Sequence, residues 1–287
     1  MPELPEVEVI CQGLKPLVVG KTIASAGSSG QRLRTFNGEL AGWRLEGQKV
    51  LDVCRRSKHL VLVLSKTLLG LHLGMSGQLV WRARAEPRPA HTHVWLDFPG
   101  HRLDYVDPRR FGDIRRLNRP TVTSTGELVA GIERGDWDSW LTPSALGVEP
   151  LTPSFSAHGL YRASRGVQQA VKPWLMRGHV VVGVGNIYAS EALYAAGIHP
   201  NRPAGRLSMN RMIRLALAIQ EQLQAAISAG GSTLRDYRSA HGQPGQYALS
   251  HKVYDREAEP CSQCGRAIRR LVQAQRSSFY CPGCQRA

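Results

Sequence analysis

The feature that most restricts how this chain can fold lies near its end: Cys261-x2-Cys264, sixteen residues, then Cys281-x2-Cys284. A CxxC pair closes a tight turn around a metal, and two such turns at this separation supply four thiolates for tetrahedral zinc. The segment between them is expected to be a hairpin tied by the metal. Two disulfides are the other reading of the spacing. No basic region followed by an apolar run marks a secretory signal at the N-terminus, so zinc is favoured. Cys11 and Cys54, in apolar surroundings, are expected as small core residues rather than reactive thiols.

Charge narrows the partner. The 287 residues carry 37 Lys and Arg against 22 Asp and Glu, a net charge of +15. From Cys261 to Ala287 there are five arginines (Arg266, Arg269, Arg270, Arg276 and Arg286) and no Asp, Glu or Lys. Such an excess serves a polyanion, and arginine suits bidentate phosphate recognition. A solvated basic surface is the plain alternative. A membrane partner is not expected: no run approaches the ~18 apolar residues of a spanning helix, and no helix concentrates Lys and Arg on one face. The reading is a soluble intracellular protein with two main domains and a small appendage.

Periodicity divides the chain. Val7, Ile10, Leu14 and Leu17 repeat at helical spacing, so residues 3–18 read as an amphipathic helix. The stretches "KVLDVCRR", "HLVLVLS", "QLVWRAR", "THVWLDF" and "HRLDYVD" then read as short strands of an antiparallel β-sandwich. Residues 117–150 look loop-like and hold the junction. Helices follow in "GVQQAVKPWLMR", "ASEALYAAG" and a long one from an N-cap at Ser208 to Gly230–Gly231. Residues 232–250 read as a polar loop. The fold class is α+β.

Five stretches have chemistry to offer. Initiator removal exposes Pro2, whose secondary amine belongs to a class with a pKa near ~7.7–8.0. A helix N-terminus lowers that further, leaving a nucleophile able to form an iminium, with Glu3 and Glu6 one turn apart as proton carriers. Ordinary helix capping explains the same residues. "GVGNIYASE" (183–191) is a glycine turn opening into a helix, where exposed N–H groups and Asn186 suit a phosphate, or an ordinary interhelical turn. "HLGMSG" (72–77) and "DPRRFG" (107–112) end strands in turns presenting Met75, Arg109 and Phe111, for core packing or for phosphate and base contact. Lys58 in "RRSKHL" reads as charge in a hairpin turn.

Taken together, "MPELPEVE", "RRSKHLVL", "HLGMSG", "DPRRFG", "VGVGNIYASEAL", "GIHPNRPA", "GGSTLRDY" and "CSQCG…AQRSSFYCPGCQ" closely resemble the motifs of bacterial formamidopyrimidine-DNA glycosylases, in that family's order. The resemblance spans nearly the whole chain and favours catalysis over capping at the N-terminus. It implies a catalytic β-sandwich domain over 1–130, a helix-two-turns-helix DNA-binding domain over 131–240 and a zinc finger over 252–286. The implied activity is excision of 8-oxoguanine and ring-opened purines from duplex DNA, then β- and δ-elimination of the strand, in base excision repair. By match of position, Pro2 is the nucleophile, Glu3 protonates the opening sugar and Glu6 helps position the lesion. Lys58 moves a proton in β-elimination, and Arg276 serves the δ step as a phosphate clamp, since a guanidinium does not give up its proton. Met75, Arg109 and Phe111 match the wedge that fills the hole left by a flipped nucleotide. His91, Lys172 and Asn186 match further DNA contacts. Cys261, Cys264, Cys281 and Cys284 hold one structural zinc. A cytoplasmic, nucleoid-associated monomer acting on damaged double-stranded DNA is implied.

Two other functions stay in view: the sister endonuclease VIII group, which takes oxidised pyrimidines, and a zinc-dependent DNA-binding protein without catalysis. The sister group usually has Gly where this chain has Leu4, and residues 232–250 resemble a purine-capping loop. Three positions depart from the family: Val167 is apolar where relatives are basic, with Arg165 nearby; the junction after "DPRRFG" is longer; and Asp255 stands where glycine is customary.

Overall fold

The computed structural model describes residues 2–118, 146–232 and 246–286. Most of the expected junction (119–145) and of the polar loop (233–245) lies outside the described residues. Two compact units form, Met1–Ala145 with Gly230–Gly245, and Leu146–Ala229 with Gln246–Ala287.

The first unit opens with α1 (Leu4–Val18), with Pro5 in its first turn, where a missing N–H costs nothing. Its buried Leu4, Val7, Ile10, Cys11, Leu14 and Val18 form one face at the 3.6-residue period. Two antiparallel sheets follow. One has the order β2 (Val50–Arg56), β3 (His59–Leu64), β4 (Thr67–His72), β8 (Asp113–Asn118). The other has the order β1 (Ser25–Ser28), β6 (Thr92–Phe98), β7 (His101–Val106), β5 (Gln78–Ala83). Their inner faces share a core in which Leu60, Leu62, Leu69 and Leu71 join Leu79, Leu96, Phe98, Leu103 and Tyr105, with α1 contributing Val7, Ile10 and Leu14. This is the expected sandwich with its leading helix.

Three strands escape a search for alternation. β4 is buried along nearly its whole length and so shows no period of two. β8 is an edge strand carrying Arg115 and Arg116, and β1 is four small residues at the edge of the other sheet. Cys11 and Cys54 are inert thiols, each pushed up to about 12 chiefly by burial.

Between β3 and β4 sits a pair of histidines in register, His59 and His72, with ring centroids 4.8 Å apart. Burial, then the neighbouring His72, takes His59 down to about 3; burial, then the charge of Lys58, takes His72 down to about 4. The His72 Nδ1 accepts from the Gly74 N–H at 3.1 Å, which requires the neutral ring. Both folded-state values lie below the unfolded ~6.5, so the stabilisation is complete above pH ~6.5 and is lost as pH falls toward 4 and then 3. Each histidine contributes a slope of up to about 1.4 kcal/mol per pH unit in that window. Urea unfolding of the first unit is expected to weaken steeply between pH 6.5 and 4.5, and His72→Asn is expected to flatten the slope. An equal slope in the variant would assign the acid sensitivity elsewhere.

The second unit contains α2 (Ala157–Ser164), α3 (Val171–Leu175), α4 (Asn186–Ala195), α5 (Met209–Ser228) and the hairpin β9 (Arg269–Gln273) and β10 (Arg276–Tyr280). Ser208 caps α5, its side chain accepting from the Arg211 N–H, and Gly230 follows the helix end at φ 76°. The helix expected over 166–177 is only α3. Residues 165–169 turn instead, with Gly166 at φ 76° and the Val167 and Gln169 carbonyls accepting from the Gly205 and Ala204 N–H groups, and Ala170 bridges to Pro203. α2 lacked a strong signal because Gly159 sits within it, yet Ser156 caps it by accepting from the Gly159 N–H. The hairpin turns through Ala274 and Gln275, both at positive φ, as a two-residue type I′ turn requires.

Candidate active site

At the start of α1, Pro2 is buried, and Glu3 and Glu6 are only 2% and 1% exposed. The Glu6 carboxylate is held from two sides: Oε2 accepts from the Glu3 N–H and Oε1 from the Ser232 N–H, each at 2.8 Å. Ser232 begins the segment expected to act as the capping loop. Glu6 therefore ties that loop to the first turn of the helix. Glu3 and Glu6 also form a reciprocal capping box, so the expected capping is present, and the near-complete burial and the Ser232 anchor come in addition to it.

Lys58 occupies the two-residue turn joining β2 to β3, with Arg56 paired to His59 across it and Ser57 at φ 56°. Its charge lies close enough to His72 to matter there. Met75 and Phe111 stand on two neighbouring loops and remain 42% and 54% exposed, unlike core residues. Arg109 is exposed beside them.

Asp107 binds these loops together. Its Oδ1 accepts from the Ser76 hydroxyl at 2.6 Å and from the Arg109 N–H at 3.3 Å, and its Oδ2 accepts from the Gly112 N–H at 2.8 Å. The Asp107 N–H donates to the carbonyl of His91, an exposed residue at φ 63°. Gly74, at φ 59°, abuts the Phe111 backbone so closely that a Cβ would meet its carbonyl carbon at 2.4 Å. Sequence reasoning passed over Asp107, though it is the first letter of "DPRRFG".

In the second unit, Lys172, Asn186 and Arg276 come together around a cleft of about 230 Å³ that Arg177, Gln273 and Ser278 also line. Lys172 is 1% exposed. Its ammonium donates to Asn186 Oδ1 at 2.7 Å, Ser277 O at 3.0 Å and Ser278 Oγ at 2.8 Å. One charge thus locks the first residue of α4 to β10. Lys172→Met leaves the buried Ser278 hydroxyl and two half-buried acceptors short of a donor, and a loss of about 3 kcal/mol in the second unit is expected, read by urea unfolding. A change below about 0.5 kcal/mol would contradict that role.

Glu191, on the same helix, was also missed. Its carboxylate accepts the backbone N–H groups of Lys252, Val253 and Tyr254 at 2.8, 3.0 and 2.8 Å, gripping the chain where it enters the hairpin. Asp255 comes next, at φ 60°, in the left-handed region where glycine is at ease and aspartate is tolerated. Arg165 lies over the Tyr161 ring at 3.9 Å and donates to Ser164 Oγ and the Leu207 carbonyl, so it serves local packing.

The four expected ligands converge: the sulfurs of Cys261, Cys264, Cys281 and Cys284 all lie within 4.8 Å of one another. Cys261 to Cys284 is 3.8 Å and Cys264 to Cys281 is 3.4 Å. Tetrahedral zinc at ~2.3 Å from each sulfur needs separations of about 3.8 Å, so the donor set fits the ion. A Cβ at Gly283 would sit 2.8 Å from Cys264 Sγ, which explains glycine in that knuckle.

Three family models match in order: the formamidopyrimidine-DNA glycosylase N-terminal domain over residues 1–114, the H2TH domain of the same enzymes over 146–238, and a zinc finger found in FPG and IleRS over 258–287. The formamidopyrimidine-DNA glycosylase of Aromatoleum aromaticum is 43% identical over 286 residues, covering 100% of both chains. That of Pectobacterium carotovorum is 44% identical over 289 residues, again covering 100% of both. The chain belongs to the formamidopyrimidine-DNA glycosylase family. Among solved structures, a Lactococcus lactis FPG mutant bound to Fapy-dG-containing DNA superposes with a TM-score of 0.87, at 29% identity and 100% coverage of both chains. The Thermus thermophilus family member superposes at 0.80 with 37% identity, covering 99% of this chain and 98% of that one. The α+β fold, helix-two-turns-helix segment included, and the structural zinc of the family are those of this chain.

Proposed function

We propose that this chain is a bifunctional DNA glycosylase and AP lyase for oxidised purines in duplex DNA, acting in base excision repair. Pro2 nitrogen attacks C1′ of the damaged nucleotide, the bond from C1′ to the base breaks, and Glu3 delivers a proton to the opening sugar. The resulting Schiff base draws electrons from C2′, whose proton passes by way of Lys58 as the 3′ phosphate leaves. Loss of the 5′ phosphate follows. Arg276 steadies the departing phosphate as a fixed positive charge. Asn186, oriented by Lys172, binds backbone phosphate in the cleft, and His91 does so from the strand end. Met75, Arg109 and Phe111 fill the hole left by the flipped nucleotide.

In this reading residues 1–130 carry catalysis, 131–240 bind DNA through the helix-two-turns-helix, and 252–286 form the zinc finger. The protein works as a monomer in the cytoplasm and reaches the nucleoid through DNA. The observation that carries the proposal is the pair of buried carboxylates at a proline-led helix start, in a chain whose net charge is +15. Withdrawing two carboxylates from water is costly, and a reacting centre gives a reason for it.

Oxidised pyrimidines are a second substrate class in this reading, since a wild-type Lactococcus lactis FPG of the same fold (TM-score 0.86, 29% identity) has been solved with DNA containing one. Borohydride reduction during reaction separates the possibilities. Preferred trapping on an 8-oxoguanine·cytosine duplex is the expected result. Trapping on thymine glycol alone would move the chain to endonuclease VIII chemistry. No adduct on either duplex would leave a DNA-binding protein only.

A further inference from the structure

We propose that the Tyr194 hydroxyl is an outer hydrogen-bond donor of the zinc centre, holding the Cys261 thiolate and slowing loss of the metal. Tyr194 lies in the last turn of α4, buried among Val253, Ile268 and Phe279. Its hydroxyl oxygen is 3.2 Å from Cys261 Sγ. A sulfur bound to zinc has no proton, so in the loaded protein the hydrogen bond has one possible direction, from phenol to thiolate.

The need for the donor follows from charge. Four thiolates around a divalent ion leave two negative charges, and each donor to sulfur spreads part of that charge; Cys261, 3% exposed, lies on the apolar side of the site. Within the knuckles the Gln263 N–H points to Cys261 Sγ and the Cys284 N–H to Cys281 Sγ, both at 3.4 Å. Tyr194 adds a side-chain donor from a different element. It is eight residues from Asn186 on one helix, a rise of about 12 Å. The helix that offers Asn186 to the phosphate cleft and grips residues 252–254 through Glu191 thereby also holds a metal ligand.

Tyr194→Phe keeps the ring in its apolar site and removes only the hydroxyl. In the zinc-loaded full-length variant, transfer of the metal to a chromophoric pyridylazo chelator is expected to be about tenfold faster than in the parent protein. With cobalt(II) in place of zinc, the thiolate-to-metal charge-transfer band is expected to move to lower energy, because a sulfur relieved of a hydrogen bond donates more readily. A purely packing role leaves that band where it is. As a second variant, 3,5-difluorotyrosine at position 194, a stronger donor of nearly the same shape, is expected to move the band the other way. A band unmoved in both variants, whatever the release rate, overturns the proposal.

Discussion

A protein in which Pro2 is sealed inside a peptide bond, by an uncleaved residue ahead of it, is expected to lose base excision by at least about 10³-fold, the scale on which nucleophile deletions act. An amide nitrogen has its lone pair delocalised into the carbonyl and none to offer C1′, whereas a free secondary amine attacks, gives up its one N–H proton and yields an iminium as the sugar ring opens. Duplex affinity is expected to stay within about threefold, because binding rests on counterion release over the basic surface. Single-turnover excision and borohydride trapping on the 8-oxoguanine duplex are the measurements. Full activity in the extended protein, or a peptide map placing the reduced adduct on a lysine, would remove Pro2 from the mechanism.

The second large effect concerns the zinc. Cys281→Ser, at a fully buried ligand, is expected to abolish stoichiometric zinc and to lower affinity for damaged duplex by about 100-fold or more. Structural zinc sites contribute roughly 10–16 kcal/mol to folding, more than a five-residue strand pair can replace. The damage is expected to spread past the hairpin, because Lys172 and Glu191 stake α3 and α4 to residues 252–254 and 277–278. Hydrogen exchange resolved by segment is expected to show lost protection in the hairpin and in α4, with β2, β3 and β4 of the sandwich unchanged. Protection retained throughout the second unit would contradict this coupling.

Much of this was legible in the residues themselves, for physical reasons. The cysteine spacing announces a metal because only a turn of that size converges two sulfurs. The face of α1 announces itself by period. Lys58 was readable as a turn residue because a short polar break separates two apolar runs. Other features are silent in one dimension. β4 is covered on both sides and shows no alternation, and β8 is an edge strand whose arginines look like loop. The second anchor of Glu6, the Ser232 N–H, lies 226 residues away. Asp107 and Glu191 look like ordinary acids in their motifs because what they hold is backbone, which leaves no mark of residue type. Lys172, which the resemblance offers as a DNA contact, is a buried pin between Asn186 and β10, a role that depends on partners 14 and more than 100 residues away.

The approach of Gly74 to the Phe111 backbone also bears on how such a protein can change. Where two loops touch main chain to main chain, neither accepts an inserted residue without displacing the other. Exploration of new lesions is then channelled into exchange of the side chains at Met75 and Phe111 on an unaltered frame, and diversification by lengthening is left to other segments of the chain.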